Sequence, residues 1–352
     1  MTHAANAVAA SVVDLFCGAG GLSYGFKREA FKVAAGIDID EACRFPYEKN
    51  NGSPFVRKDV AKLTADDLRR LFVPNITRVL VGCAPCQPFS TYNQKNKNPD
   101  WKLLRAFGTL IDAARPDVVS MENVPRLLRF RRGKVFDAFV ATLRAADYHV
   151  VWDVLYGPDF GLAQTRSRLV LLASRLGPIE MPAPTQDPQA YRTVKDEIGA
   201  LPPLEHGQID QLDPLHRASR LSETNAKRIA SAKPGGTWRD WSPELVATCH
   251  KVATGKGYSS VYGRMIWTAP SPTITTQFYG FGNGRFGHPE QNRALSLREG
   301  ALLQGFPCDY QFAAPGERIH FKKIGRMIGN AVPVTLAIAI AHAVKQHIQG
   351  LS

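Results

Sequence analysis

Over the first half of the chain, short apolar and β-branched runs alternate with longer stretches of helical period. Ser11–Phe16, Lys32–Ile37, Arg78–Gly82, Asp117–Met121, His149–Leu155 and Leu169–Ala173 read as strands. Leu22–Ala30, Ala65–Phe72, Leu103–Ala114 and Val135–Ala145 read as helices. This alternation predicts an α/β fold, a doubly wound, Rossmann-like and mostly parallel sheet. Ligand sites in such sheets lie at the carboxyl ends of the strands. Beyond Ser174 the texture changes. Seven of the 24 prolines fall between Pro178 and Pro214, and Gly-aromatic turns outnumber helical patterns as far as about Arg318. Residues 178–318 are therefore expected to form a smaller, irregular domain, and 1–177 with 319–352 the larger one. Thr335–Gln349 reads as one apolar helix, too short to span a bilayer.

The 352 residues suit two domains, and 21% charged with 44% hydrophobic residues exclude a disordered tail or a coiled coil. Net charge is 44 − 31 = +13, which favours a polyanionic partner. Six cysteines, at 17, 43, 83, 86, 249 and 308, are too few for a disulfide scaffold in a chain this long. Reduced thiols are the expectation. Met1–Ala10 is Ala-rich without a basic leader, and no uninterrupted apolar run approaches membrane-spanning length. A soluble, bacterial-type cytoplasmic protein is expected, with no membrane partner and monomer as the default state.

Asp14-Leu15-Phe16-Cys17-Gly18-Ala19-Gly20-Gly21-Leu22 closes a strand and opens a helix. Glycines there permit positive φ and close approach of backbone to a ligand. Asp38, ending the second strand, could take hydrogen bonds from ribose hydroxyls, and Asp59, after the third, could meet an adenine amino group. The phosphate-cradling G-x-G-x-x-G register is absent, since Leu22 and Ser23 follow the glycines. An adenosine-bearing cofactor without phosphates fits better than a dinucleotide.

Gly82-Cys83-Ala84-Pro85-Cys86-Gln87-Pro88-Phe89-Ser90 follows the fourth strand. Three readings compete. Zinc would need about four ligands, and no second C-x-x-C or suitably spaced His pair exists. A redox pair would suit a smaller, thioredoxin-like domain. The third reading is a single nucleophile, Cys86, stiffened by flanking prolines, with Cys83 as a small buried neighbour. Glu122, in Met121-Glu122-Asn123-Val124-Pro125, lies at the same sheet edge, where burial could keep it protonated. Arg166 and Arg168, in Gln164-Thr165-Arg166-Ser167-Arg168, are two apart and so are expected on one face of a strand.

Together these segments resemble the cytosine-C5 DNA methyltransferases of bacterial type. The resemblance runs through nearly the whole chain in the family's order: DLFCGAGG, PCQPFS, ENV, QTRSR, RMIWTAPSPTITT (Arg264–Thr276) and GNAVPV (Gly329–Val334). It implies that Cys86 adds to C6 of cytosine, Glu122 serves ring N3, Arg168 contacts the O2 side and Arg166 lies near the phosphates. The methyl donor it implies is S-adenosylmethionine, leaving S-adenosylhomocysteine, with no metal. Its pocket would comprise Phe16, Gly18, Ala19, Gly20, Gly21, Leu22, Asp38, Ile39, Asp59, Val60, Leu103, Asn330 and Val332. Two of these fit loosely: Leu103 follows an atypical Trp101-Lys102, and Ile39 stands where some members place an aromatic.

The same resemblance implies double-stranded DNA as partner and a flipped-out target base. Gln87, Ser90 and the polar run Asn93–Asn98 would face DNA. The basic cluster at Arg126, Arg129, Arg131, Arg132 and Lys134 reads by its charge as a phosphate contact, with a solvated helix start as the alternative. Target readout is expected in His250–Gly263 and Gln277–Gly287, with Arg285 a candidate for guanine. Arg264 would support that domain and touch the DNA backbone. A tRNA cytosine methyltransferase of the same fold is the nearest rival, yet the Cys-Phe-Thr tripeptide of those relatives is absent. A non-catalytic DNA-binding relative would have no need of Cys86, Glu122 and Arg168 together. A dinucleotide oxidoreductase leaves ENV and QTRSR without a role. A separate cognate restriction endonuclease is possible, and the target sequence is not legible.

Overall fold

The computed structural model describes residues 7–85, 101–252, 257–258 and 260–351. The chain divides into two units: Met1–Phe160, Ser167–Thr185 and Ala331–Ser352 form the first, and Gly161–Arg166 with Gln186–Asn330 the second.

Seven strands make the sheet of the first unit: β1 (Ala10–Leu15), β2 (Lys32–Asp38), β3 (Phe55–Arg57), β4 (Thr77–Gly82), β5 (Val118–Asn123), β6 (His149–Tyr156) and β8 (Ser167–Ser174). Their order is β3-β2-β1-β4-β5-β8-β6, and only β8 runs against its neighbours β5 and β6. Val12 and Val13 are both fully buried, as are Leu80 and Val81. Strands covered on both faces lose the polar alternation of a half-exposed sheet, which is why the sequence showed apolar runs.

One face packs Val13, Leu15, Leu80 and Met121 under α3 (Ala65–Leu71), α4 (Trp101–Ala114) and α5 (Lys134–Ala145). The other packs Val12, Val79, Val81 and Leu172 under α1 (Gly21–Arg28) and α11 (Val334–Gln349). Gly25 lets those two helices approach, because a Cβ there would stand 2.5 Å from the Ala337 backbone. The stretch Phe321–Gln349 is apolar enough to cross a membrane by composition, yet 67% of its most apolar window is buried in protein.

The second unit has little regular structure. It holds the short pair β7 (Gln164–Thr165) and β9 (Ser271–Pro272), and helices α6 (Val194–Ile198), α7 (Glu223–Ala230), α8 (Thr248–Lys251), α9 (Leu297–Leu303) and α10 (Phe321–Asn330). A short helix of the first unit, α2 (Arg44–Asn51), also escaped the sequence pattern. Irregular backbone leaves carbonyls without ladder partners, and buried guanidiniums collect them. Arg264, 3% exposed, donates to the carbonyls of Ala232, His288, Gln291 and Ile229 and to Asn292 Oδ1, over 2.6–3.0 Å. Fully buried Arg293 holds both oxygens of Glu299 at 2.7 Å.

Candidate active site

At the end of β1 the backbone turns through three left-handed residues, Phe16 (φ 59°), Gly18 (φ 51°) and Gly20 (φ 94°). The turn aims the Gly18 amide at Asp38, and its N–H donates to Asp38 Oδ2 at 2.9 Å. Asp38 Oδ1 accepts from the Asp40 amide at 2.9 Å. Burial holds the Asp38 carboxyl above its ordinary value despite these bonds. Beside Gly18 the space is open, since a Cβ there would meet nothing within 4 Å. Ile39 follows at 63% exposure. Asp59 caps the turn after β3 by accepting from Ala61 N at 3.0 Å, with Val60 buried next to it. Ala19, Gly20, Gly21 and Leu22 are buried as the helix starts.

Because β1, β2 and β3 are parallel neighbours, these three strand ends share one edge of the sheet. A carboxylate for ribose hydroxyls, an uncovered aliphatic surface for a flat ring and open glycine backbone together fit an adenosine-bearing ligand.

Beneath the turn lies a buried polar chain that the sequence reading missed. Ser23 Oγ donates to Asp14 Oδ2 at 2.7 Å and stands 3.0 Å from Tyr47 Oη. Gly36 makes room for Tyr47, whose ring would lie 2.2 Å from a Cβ. The one available signal was a carboxylate inside the apolar run Ser11–Phe16.

Burial raises the Asp14 carboxyl from 3.8 to about 7. The folded protein therefore keeps a proton that the unfolded chain releases as pH rises above about 4. On account of this group, stability is highest below pH 4, falls as pH rises towards 7 and levels off above it. Denaturant unfolding across that range is expected to show a less negative slope for Asp14→Asn than for wild type. Identical slopes would remove Asp14 as the titrating group.

At the ends of β4 and β5 lies a second constellation. Glu122 is 2% exposed, and Arg168 Nε, from the start of β8, sits 2.9 Å from its Oε1. Cys83 Sγ donates to Glu122 Oε2 at 2.7 Å. Burial of this carboxylate therefore comes with a cation and a thiol donor, not with apolar isolation. Asn123 Nδ2 donates to the Ala84 carbonyl at 2.9 Å and ties the cysteine turn to β5. Cys86, Gln87, Ser90 and Asn93–Asn98 lie outside the described residues. Cys83 has a partner that sequence reasoning did not foresee. Cys83→Ser can still donate to Glu122 and should retain most activity, whereas Cys83→Val removes the donor and should slow turnover about tenfold. Equal rates for both variants would show that the bond has no role.

Two expectations for arginines need correction. Arg166 and Arg168 do not share a strand face, because the strand is broken at Arg166, between β7 and β8. Arg166 is 3% exposed and donates to the Ile274 carbonyl at 2.9 Å and the Gly329 carbonyl at 3.1 Å, which leaves it no position near phosphates. Gln164 joins it, giving Nε2 to Leu303 O and Gln304 Oε1 and accepting from Ile274 N. Arg264 gives its donors to four carbonyls and to Asn292 Oδ1, which leaves none for a DNA backbone.

Arg285 is half-buried, with Nη1 on the Gly235 and Gly236 carbonyls. Of the expected readout segments, 253–256 and 259 lie outside the described residues, and in the other Phe278, Phe281 and Phe286 are core. Leu103 is half-buried in the first turn of α4, and Val332 is buried in the first unit. Asn330 is the exposed last residue of α10, in the second unit. Among the described residues no His, Cys, Asp and Glu side chains group as a metal site.

The family profile of C-5 cytosine-specific DNA methylases matches residues 10–346. A Type II methylase of Herpetosiphon aurantiacus, M.HgiDII, is 50% identical over 97% of this chain and 96% of its own. A Type II methyltransferase of Haemophilus parahaemolyticus, M1.HphI, is 32% identical over 94% and 86%. A solved chain encoded within an E. coli prophage superposes with a TM-score of 0.72 over 95% of this chain and 98% of its own, at 22% identity.

Proposed function

From the premise that the chain belongs to the C-5 cytosine-specific DNA methylases, and is a bacterial type II DNA (cytosine-5) methyltransferase, we propose that it methylates a flipped-out cytosine within one short sequence of duplex DNA. The observation that carries the reading is Glu122, buried at the sheet edge between Arg168 and Cys83. The turn that begins at Cys83 leads within three residues to Cys86.

Cytosine C5 is a poor nucleophile. The Cys86 thiolate forms a bond to C6, and the displaced π electrons flow towards C5 and N3. Glu122 takes up a proton as the base is bound, passes it to N3 and neutralises the charge arriving there, while Arg168 fixes the carboxyl and the O2 side of the ring. S-adenosylmethionine, held by Gly18–Leu22, Asp38, Ile39, Asp59 and Val60, supplies when bound a methyl group on a sulfonium. After C5 is methylated, a base removes its proton, the C6–S bond breaks to release the Cys86 thiolate and N3 returns its proton to Glu122, which restores the aromatic ring. Extruding the base costs a few kcal/mol of stacking and pairing.

The second unit is proposed as the target-recognition module, because its loops are the part of the chain least constrained by regular structure. A type II relationship makes a separately acting restriction endonuclease the natural companion. Methyl transfer from labelled S-adenosylmethionine to unmethylated duplex DNA, with total tRNA alongside and base-resolution sequencing, tests the reading. Label in cytosine C5 at one recurring DNA sequence is expected. Label confined to tRNA would move the substrate to RNA, and no label in either would leave a binding protein.

A further inference from the structure

A cavity of about 560 Å³ runs between α4 and α5 in the first unit. Trp101 and Arg105 line it from α4, Arg131 from the segment before α5, and Lys134 from the first turn of α5. Three cations face the cavity, and among the described residues no carboxylate does. Arg131 spreads its guanidinium over the Trp101 ring at 4.4 Å. Arg126, Arg129 and Arg132 follow one another closely in the same segment, and among the described residues none of these six cations makes an ion pair. Other cations of the unit do find carboxylates: Arg44 has Glu41, Lys58 has Asp67, Arg69 has Asp66 and Arg78 has Asp117. Unneutralised charge so concentrated calls for an external anion.

The backbone gives an independent sign. Arg131 (φ 50°), Arg132 (φ 60°) and Gly133 (φ 85°) are left-handed in succession. L-residues avoid that conformation, and here it holds two guanidiniums at the start of α5. Both helices begin at the carboxyl edge of the sheet, and the arginine segment, Pro125–Gly133, opens directly after Glu122-Asn123-Val124.

We propose that this cavity is a phosphate pocket that grips the backbone of the substrate duplex on a flank of the target cytosine, outside the recognised sequence. The proposal rests on duplex DNA being the substrate. Charge and not stacking makes the contact, because one face of Trp101 is already covered by Arg131. Thr109 and Thr142 give their hydroxyl protons to helix carbonyls, so the ligand meets guanidinium and ammonium donors. Such contacts position the duplex and carry no sequence information.

The test is equilibrium binding of a fluorescent duplex of about 30 base pairs, a length ample for flanking phosphate contacts, over a range of salt concentrations. For Arg131→Ala with Lys134→Ala, affinity near 0.1 M salt should fall about tenfold, and the slope of log K against log salt should shrink by about 1–2. A charge-matched pair, Arg28→Ala with Arg70→Ala in the last turns of α1 and α3, should bind like wild type. Shortening the flanks should bring wild-type affinity down to that of the variant.

Unchanged affinity and slope would overturn the proposal, as would a loss that persists undiminished on the shortest duplex. Cofactor binding and thermal melting report whether the double variant is folded. If it is not, Arg105→Gln, on the exposed side of α4, should give about a threefold loss and a slope smaller by about 1. Methyl transfer by the wild-type enzyme is read separately: absence of 5-methylcytosine would sink the underlying function, whereas a missing variant effect would sink the pocket alone.

Discussion

Cys86→Ser is expected to lower methyl transfer to DNA by more than about a thousandfold while leaving affinity for S-adenosylmethionine within about twofold of wild type. A serine hydroxyl ionises far above neutral pH, so it offers almost no anion to C6, whereas a thiol offers a usable fraction and is intrinsically more nucleophilic. The residues proposed to hold the cofactor lie at the ends of β1, β2 and β3 and do not depend on this side chain. Single-turnover kinetics with labelled cofactor measure the first quantity and calorimetry the second. A duplex carrying fluorine at C5 of the target adds a direct readout. Fluorine cannot leave as a proton does, so wild type should be trapped in a denaturation-resistant complex and the variant should not. Normal turnover by Cys86→Ser would end the covalent mechanism and return the Cys83–Cys86 pair to consideration.

The second large effect concerns the buried pair of Glu122 and Arg168. Glu122→Gln keeps the shape and can still hydrogen-bond, but it has no acidic proton for N3. Its rate should fall by about 10²–10⁴-fold. Arg168→Met leaves a carboxylate that is 2% exposed without its cation. Stability should drop by about 3 kcal/mol, because a buried charge stripped of its partner is strongly unfavourable. The double variant separates the two roles: Glu122→Gln with Arg168→Met should recover part of the stability and none of the activity. Chemical denaturation and steady-state kinetics on the same preparations decide it. Full stability in Arg168→Met alone would show that water or another donor already satisfies Glu122.

What the sequence revealed follows the range of the interactions involved. β1, β2, β4, β5 and α3–α5 were legible to within a few residues, because their apolar periods are local. The short helix α2 was missed: Arg44-Phe45-Pro46-Tyr47-Glu48-Lys49-Asn50-Asn51 is mostly polar, with only Pro46, Tyr47 and Asn51 buried. The amphipathic α10 was missed as well, although its buried Ile324, Met327 and Ile328 follow a helical spacing.

The Cys83–Glu122 and Glu122–Arg168 contacts span 39 and 46 positions (122 − 83 and 168 − 122). Residue types could suggest a shared edge there but not who bonds to whom. Arg166 shows the opposite failure. A period-two argument is sound only while the strand continues, and this strand stops at the residue in question. Asp14 was visible as an acid in an apolar run, yet its partners Ser23 and Tyr47 come from two separate helices.

Gly25 on α1 packs against Ala337 on α11, and 312 residues (337 − 25) separate them. At bacterial synthesis rates of about 5–20 residues per second, that interval lasts roughly 15–60 s. Throughout it, the apolar side of α1 and the strands beside it have been made while the helix that covers them has not. Nascent chains of this protein therefore expose the beginnings of a sheet until α11 has been made. A nonsense mutation within α11, which carries none of the residues proposed to touch cofactor or cytosine, should yield an aggregating product instead of a weak enzyme.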